Sequence, residues 1–425
     1  MQSHIILVPG FGGFDALGSF QYYDGVTEAL EASRYQGFVH YFPNMPTASV
    51  WTRAQTLGKW LSKLRVRRAI RSDDSIHLIG HSTGGLDVRQ LLINLREEEQ
   101  GRGVARTSSI INQIKTVQFL STPHRGTALA HHLGGSPNRI FASQLLLRVL
   151  YEGAHGLRGK GLWALSRGLK CLPPARRTPN WLDAIIDTLE GCYSKSGDLE
   201  SAEARGTYSE LLRWLLHMAS DFSAITDLDP TPSHGSRASP AHASDSKEEI
   251  AFIKHRKIEV RSIVTRARPA HTSKWTLFNA LHRLTAHAPP WPLQRVCSIQ
   301  KLWGDPKLYD VLGPHENDGL VNSVSQVWPN ANRSYLVEGD HADVIGHFGQ
   351  QSPDRTEPGR EYDLLNAPSG FDSQRFTKLW GDIAKFTQLR EDTQSAWLDV
   401  PVERQRTASP RDTDVAPLRV CKPGK

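Results

Sequence analysis

The residues whose types and spacing best suit covalent chemistry are 80–84, which read Gly-His-Ser-Thr-Gly. An apolar run at 75–79 precedes them and predicts a buried strand, and apolar residues at helical spacing follow, namely Val88, Leu91, Leu92 and Leu95. A G-x-S-x-G between a strand and a helix is typical of a nucleophile elbow. We therefore predict that Ser82 is a nucleophile. The alternative is a glycine-rich turn with an incidental serine.

A serine hydroxyl needs a base to take its proton and a third group to orient that base. In elbow-type enzymes the acid and then the histidine follow the serine along the chain. His341 is the predicted base, because it is the first histidine after the last predicted strand and lies in a turn-rich loop. Four other histidines are alternatives for the base but fit this position less well: His81, His124, His315 and His347.

Asp318 is the predicted acid, because it lies between the last two predicted strands, where the chain order requires it. It stands before Gly319, so an ordinary Asp-Gly turn is the structural alternative. Asp305 and Asp310 remain open as other candidates for the acid.

Two backbone N–H groups should stabilise the oxyanion that forms during acyl transfer. Thr83, directly after the nucleophile, is one predicted donor. Phe11 is the other, because it lies in a glycine-rich loop, residues 8–13, directly after the first predicted strand. Such a loop could instead bind a phosphate, but it lacks the Lys-Ser/Thr pair of a P-loop and the full G-x-G-x-x-G fingerprint.

The elements that must position these residues alternate between strands and helices, which predicts an α/β fold with a mainly parallel sheet covered on both faces. Helices are predicted from about residue 51 and over 373–388. The predicted strands are residues 5–8, 38–42, 76–79, 116–120, 258–264 and 334–337.

Unequal gaps between the strands divide the chain into a core with insertions. We expect insertions to lie at one end of the sheet, over the site. The predicted organisation is a first core half at 1–126, a large helical cap at 127–257 with a mobile polar loop at 233–249, a second core half at 258–390 with an insertion at 268–313, and a disordered tail at 391–425.

Composition restricts the partners. The net charge of +7 is modest and spread out, and basic and aromatic residues are not interleaved, so nucleic acid is not a predicted partner. No apolar stretch approaches the roughly 20 residues that span a bilayer. The chain enters a strand directly after Met1 without a signal peptide, which predicts a cytoplasmic protein, although a mature secreted form stays open.

Four cysteines are widely scattered and form no C-x-x-C, so neither a zinc site nor a disulfide framework is predicted. Free buried thiols are the expectation for Cys171, Cys192, Cys297 and Cys421. A pair between Cys171 and Cys192 is the alternative if the protein is exported.

Four parts of the chain, taken in order, resemble one known group. They are residues 8–15 (VPGFGGFD), 80–85 (GHSTGG), 121–127 (STPHRGT), and the pair 317–321 (NDGLV) and 340–343 (DHAD). Together they resemble the oxyanion loop, elbow, TPHRG element and acid and histidine loops of the bacterial true lipases, which are triacylglycerol lipases of the α/β-hydrolase superfamily. The resemblance covers about half the chain.

The resemblance implies an α/β-hydrolase fold, with Ser82 as nucleophile, Asp318 as acid, His341 as base, and Phe11 and Thr83 as oxyanion donors. The resemblance implies an enzyme that requires no cofactor. Members of the family often bind structural calcium near the catalytic histidine, and Asp343 resembles one ligand. The glutamine ligand expected nearby is replaced by His347, so calcium is the weaker expectation.

The predicted function is therefore a serine carboxylic-ester hydrolase of the lipase or esterase type, acting on apolar acyl-lipid esters, with a lipid–water interface as a candidate partner. An intracellular polyester (polyhydroxyalkanoate) depolymerase or an acyltransferase would share every residue discussed. A non-catalytic binding protein on the same fold is the alternative outside enzymes.

Overall fold

The computed structural model describes the chain in eleven stretches. They are residues 2–13, 16–17, 20–101, 110–133, 223–231, 247–269, 277–286, 296–329, 333–349, 364–365 and 367–392. Residues 134–222 of the predicted cap, 233–246 of its predicted mobile loop and 393–425 of the predicted tail lie outside these stretches.

An eight-stranded sheet forms the centre of the described part of the chain. Its strands are β1 (Ser3–Val8), β4 (Phe38–Tyr41), β5 (Ser75–His81), β6 (Ile114–Leu120), β7 (Glu259–Arg266), β8 (Cys297–Lys301), β9 (Tyr309–Leu312) and β10 (Ser334–Glu338), and a separate antiparallel pair is formed by β2 (Ala16–Leu17) and β3 (Phe20–Gln21). The order across the sheet is β4-β1-β5-β6-β7-β10-β8-β9. Each neighbouring pair is parallel except β8 with β9.

The described helices are α1 (Val26–Ala32), α2 (Val50–Val66), α3 (Thr83–Glu99), α4 (Ala128–Leu133), α5 (Ser223–Leu228), α6 (Lys247–His255), α7 (Leu277–Ala286) and α8 (Ser373–Asp392). Helices α2, α3 and α6 pack on one face of the sheet, and α1 and α8 pack on the other.

Both faces of the sheet are buried, which explains the continuous apolar run at residues 5–8 of β1. Successive side chains of a strand point to opposite faces. On β1, Ile6 and Val8 therefore pack against α2 and α3, whereas Ile5 and Leu7 pack against α1 and α8. The strands, being covered on two sides, form the middle of three layers.

This architecture confirms the predicted α/β-hydrolase fold: a mainly parallel sheet between two helical layers, with a strand that turns sharply into a helix at residue 82. Each of the six predicted strands is present. Strands β8 and β9 were missed, and they come from the region predicted as an insertion at 268–313.

Two further predictions concern residues that the structure describes. No helix among them is long and apolar enough to cross a membrane. The Cys297 thiol is buried, as expected, whereas the other three cysteines lie outside the described residues.

Candidate active site

Ser82 occupies the turn between β5 and α3 with a strained backbone. Its φ of 54° and ψ of −130° lie in a region that residues other than glycine rarely adopt. The neighbouring strand holds this conformation, because the Ser82 N–H donates to the Leu120 carbonyl at 2.8 Å. The turn also requires Gly84, where an added Cβ would lie 2.2 Å from the Val8 carbonyl oxygen. Strain held in this way is typical of a functional position.

Asp318 and His341, the predicted acid and base, are hydrogen-bonded to each other. The His341 Nδ1 donates to the Asp318 Oδ2 at 2.7 Å, and the His341 backbone N–H donates to the Asp318 carbonyl at 3.0 Å. Both side chains are buried. With Nδ1 protonated and bound, the neutral ring has its lone pair on Nε2, which is the arrangement a general base requires.

Four further donors surround the Asp318 carboxylate. The Thr265 hydroxyl donates to Oδ2 at 2.6 Å and the Gln326 side-chain amide does so at 2.9 Å. The backbone N–H groups of Leu320 and Val321 donate to Oδ1 at 3.1 Å and 2.8 Å. Because a buried carboxylate needs its lone pairs filled, these contacts both stabilise and orient the group. Sequence reasoning missed Thr265 and Gln326.

The four alternative histidines form hydrogen bonds with groups other than the Asp318 carboxylate. Their contacts are His81 with Tyr22 and the His341 carbonyl, His124 with Ser262, His315 with the Ala286 carbonyl and His347 with the Tyr22 carbonyl. Burial lowers the pKa of His347 to about 4, so this ring is neutral at physiological pH.

The two alternative aspartates, Asp305 and Asp310, have partners other than His341. Asp310 forms an ion pair with Arg266 at 2.6 Å. Asp305 is exposed, and its carboxylate accepts the Lys307 N–H at 2.9 Å. The contacts with His341 therefore favour Asp318 as the acid.

The loop after β1, which carries the predicted oxyanion donor Phe11, lies against the elbow. Gly10 approaches so closely that an added Cβ would lie 2.6 Å from the Ser82 Cβ and 3.0 Å from the His81 carbonyl oxygen. Thr83, the other predicted donor, is the first residue of α3, and N–H groups in the first turn of a helix have no intrahelical acceptor. The structure thus brings both donor segments to Ser82.

Polar side chains hold this loop from behind. The Arg53 guanidinium and the Asn44 amide both donate to the Pro9 carbonyl, at 3.0 Å and 2.9 Å. Arg53 is itself paired with Asp87 at 2.8 Å, and both side chains are fully buried. The loop is therefore fixed by contacts that no local sequence pattern indicated.

Replacing Gly10 with alanine is expected to lower kcat/KM by about 100-fold or more, since a methyl group would push the oxyanion loop away from Ser82 and a shift of about 1 Å in a catalytic group can have that effect. Gly313→Ala is a suitable control, because no atom lies within 4 Å of a Cβ added there. Steady-state kinetics of both variants on a p-nitrophenyl ester test the expectation. Equal rates for the two variants would contradict it.

Asp343, the residue that resembles a calcium ligand, is buried beside the histidine loop. Its Oδ2 accepts the Asp340 N–H at 2.7 Å and the Ser369 hydroxyl at 2.8 Å. Calcium takes six to eight oxygen ligands, and among the described residues no group of three or more His, Cys, Asp or Glu side chains could hold a metal ion. The described surroundings of Asp343 therefore do not fit a calcium site, and calcium stays an untested expectation.

No protein-family model matches the chain, and no curated protein matches it significantly. Several solved structures resemble it. EstA from Clostridium botulinum is 19% identical with a TM-score of 0.47, over 91% of this chain and 87% of that one. Lipase 1 from Pelosinus fermentans is 15% identical with a TM-score of 0.44, over 92% and 100%. A metagenomic carboxyl esterase is 15% identical with a TM-score of 0.38, over 92% and 76%. The structural neighbours of this chain thus include esterases and a lipase.

Proposed function

We propose that this protein is a serine carboxylic-ester hydrolase that cleaves apolar acyl esters through an acyl-enzyme. Ser82 is the nucleophile, His341 the general base and Asp318 the group that orients it. The backbone N–H groups of Phe11 and Thr83 bind the oxyanion. The observation that carries the proposal is the buried hydrogen bond of 2.7 Å between Asp318 and His341 on the same sheet edge as the strained Ser82 elbow.

The first half of the reaction forms the acyl-enzyme. The Ser82 Oγ attacks the ester carbonyl carbon while the His341 Nε2 takes the hydroxyl proton, which gives a tetrahedral intermediate with a negative oxygen. The two backbone N–H groups stabilise that oxygen. The carbon–oxygen bond to the alcohol then breaks, and His341 returns its proton to the leaving alkoxide.

The second half regenerates the enzyme. Water attacks the acyl carbon, and His341 takes a proton from that water. The second tetrahedral intermediate collapses, the bond to the Ser82 Oγ breaks, and the proton passes to that oxygen. The products are one carboxylic acid and one alcohol. Throughout, Asp318 stays ionised and holds the Nδ1 proton, which keeps the Nε2 lone pair available.

The surroundings of the oxyanion loop support an apolar substrate. Phe11 packs against a cluster of apolar side chains, which are Val50, Leu86, Ala130, Ile225 and Leu228. Three of these, Ala130, Ile225 and Leu228, belong to α4 and α5, which flank residues 134–222. Transfer of each acyl CH₂ from water to such a surface is worth about 0.8 kcal/mol, so kcat/KM is expected to increase with acyl length.

A fluorophosphonate probe and a series of p-nitrophenyl esters test the proposal. We expect labelling of Ser82, located by peptide mass spectrometry, and turnover that rises from acetate to octanoate esters. Absence of both labelling and turnover would favour a non-catalytic binding protein. Activity confined to acetate would retain the esterase and contradict the preference for apolar acyl chains.

A further inference from the structure

We infer that Tyr22 and His81 are positioning residues, which form one hydrogen-bonded chain from the oxyanion loop to the loop that carries the catalytic histidine. The inference rests on the proposed function and deepens it. Neither side chain is a reacting group in that mechanism. Their role is to hold the oxyanion donor and the base in position relative to Ser82.

The chain consists of three short contacts between buried groups. The Gly10 N–H lies 2.8 Å from the Tyr22 hydroxyl oxygen. That oxygen lies 2.7 Å from the His81 Nδ1. On the other side of the ring, the His81 Nε2 lies 2.9 Å from the His341 carbonyl oxygen. The contacts thus join the oxyanion loop, the elbow and the histidine loop.

The two ends of the chain determine the direction of every bond in it. The Gly10 N–H can only donate, and the His341 carbonyl can only accept. The His81 Nε2 must therefore carry a proton, which it donates to His341. In a neutral ring, Nδ1 is then an acceptor, and the proton of the Tyr22 hydroxyl points to it. Each proton position follows from its neighbour's, so the chain is satisfied in one direction only.

A neutral His81 is what its surroundings favour. The ring is buried, and its centroid lies 4.7 Å from that of the His341 ring. Burial holds the pKa of His81 well below its ordinary value, and the neighbouring His341 lowers it further. A proton added at Nδ1 would remove the acceptor for Tyr22, so the neutral form is also the form the hydrogen bonds require.

The position of the chain explains why it would affect the rate. The Gly10 N–H belongs to the peptide plane between Pro9 and Gly10, which directly precedes the plane that carries the Phe11 N–H, so fixing it helps to set the direction of the Phe11 N–H. The His341 carbonyl belongs to the backbone that carries the base. Because oxyanion donors and bases must be aligned before the reaction, a contact that fixes both acts on kcat. His81 lies directly before Ser82, between the two loops.

Tyr22→Phe removes the central hydroxyl and leaves the Gly10 N–H and the His81 Nδ1 without this partner. We expect kcat to fall by about tenfold or more with KM changed by about twofold or less, as for an interaction that matters only in the transition state. Tyr23→Phe is the matched control. Tyr23 is the adjacent residue and is also buried, and its hydroxyl bonds the Val8 carbonyl at 2.7 Å and the His81 backbone rather than the His81 ring. We expect a similar loss of melting temperature and an unchanged kcat.

A double-mutant cycle tests whether the two side chains act together. His81→Gln keeps an amide near the position of Nε2 but removes the acceptor at Nδ1. If Tyr22 acts through His81, the double variant should have nearly the kcat of the slower single variant, since the second change removes a link that is already broken. If the fold-decrease in kcat of the double variant instead equals the product of the two single decreases, the two side chains act independently and the inference is overturned.

A measurement on the unaltered protein does not depend on the folding of any variant. The ¹⁵N chemical shifts of His81 should report a neutral ring protonated at Nε2 throughout the pH range in which an ordinary histidine titrates; protonation at Nδ1 would overturn the chain. Wild-type protein that turns over esters, combined with equal kcat for Tyr22→Phe and Tyr23→Phe, overturns the inference and leaves the proposed function intact. Wild-type protein that neither labels nor turns over overturns both.

Discussion

Replacing Ser82 with alanine is expected to lower ester turnover by about 10⁴-fold or more while the chain keeps its fold, because the substitution removes the hydroxyl that we propose forms the acyl-enzyme. Alanine retains the Cβ and removes only the hydroxyl oxygen, so the packing beside Gly10 is preserved. The measurement is kcat/KM on a p-nitrophenyl ester together with loss of fluorophosphonate labelling. Wild-type turnover in this variant would exclude Ser82 as the nucleophile.

Ser82→Gly separates the chemistry from the backbone strain of the elbow. Both variants should be inactive, but glycine adopts a φ of 54° without a Cβ clash. Relief of strain of about 1–3 kcal/mol exceeds the roughly 0.5–1 kcal/mol that glycine adds to the entropy cost of folding. The glycine variant should therefore melt about 2–4 °C above the alanine variant for each net kcal/mol. Equal melting temperatures would show that the elbow stores little strain.

The strands that sequence reasoning found and those that it missed differ in burial. β1, β5 and β6 lie inside the sheet with both faces covered, so nearly all of their residues are buried, and each contains a short apolar segment. β8 and β9 are the last two strands at one end of the sheet, and both are short: β8 alternates buried with half-exposed residues before an exposed end, whereas β9 buries only Leu312. So short an alternation resembles a loop, and the pairing of β8 with β10 is a tertiary contact without a local sign.

The residues of the candidate site also fall into those that a sequence pattern predicts and those that none does. Ser82, Asp318 and His341 could be proposed because Ser82 and His341 follow predicted strands and Asp318 lies between the last two of them, in a fixed chain order. Thr265 and Gln326, which bind the Asp318 carboxylate, and Tyr22, which binds Gly10, come from three separate elements with no shared motif. Their roles depend on which strand ends become neighbours, and only the sheet order determines that.

Replacing Asp318 with asparagine is expected to lower kcat by about 10³- to 10⁴-fold, because the amide no longer enforces the tautomer of His341 that the base requires. The five donors around the carboxylate make the effect large. Oδ2 faces His341, Thr265 and Gln326, whereas Oδ1 faces two backbone N–H groups. An amide has one oxygen and one NH₂ group, so either orientation sets a donor against donors. If the NH₂ group faces His341, the neutral ring must adopt the tautomer that has its lone pair on Nδ1 and its proton on Nε2.

Loss of stability must be distinguished from loss of the base, since the same donor clash also destabilises the folded chain. Thr265→Val gives the comparison: it removes one donor to Oδ2 but keeps the carboxylate and its bond to His341. We expect this variant to melt at a lower temperature with a much smaller effect on kcat. Asp310→Asn, which changes an acid paired with Arg266, should leave kcat within about twofold of wild type, as is usual for sites outside the reacting groups. If instead Asp310→Asn abolished turnover and Asp318→Asn did not, the acid would have to be reassigned, and the bond of 2.7 Å to His341 would be structural.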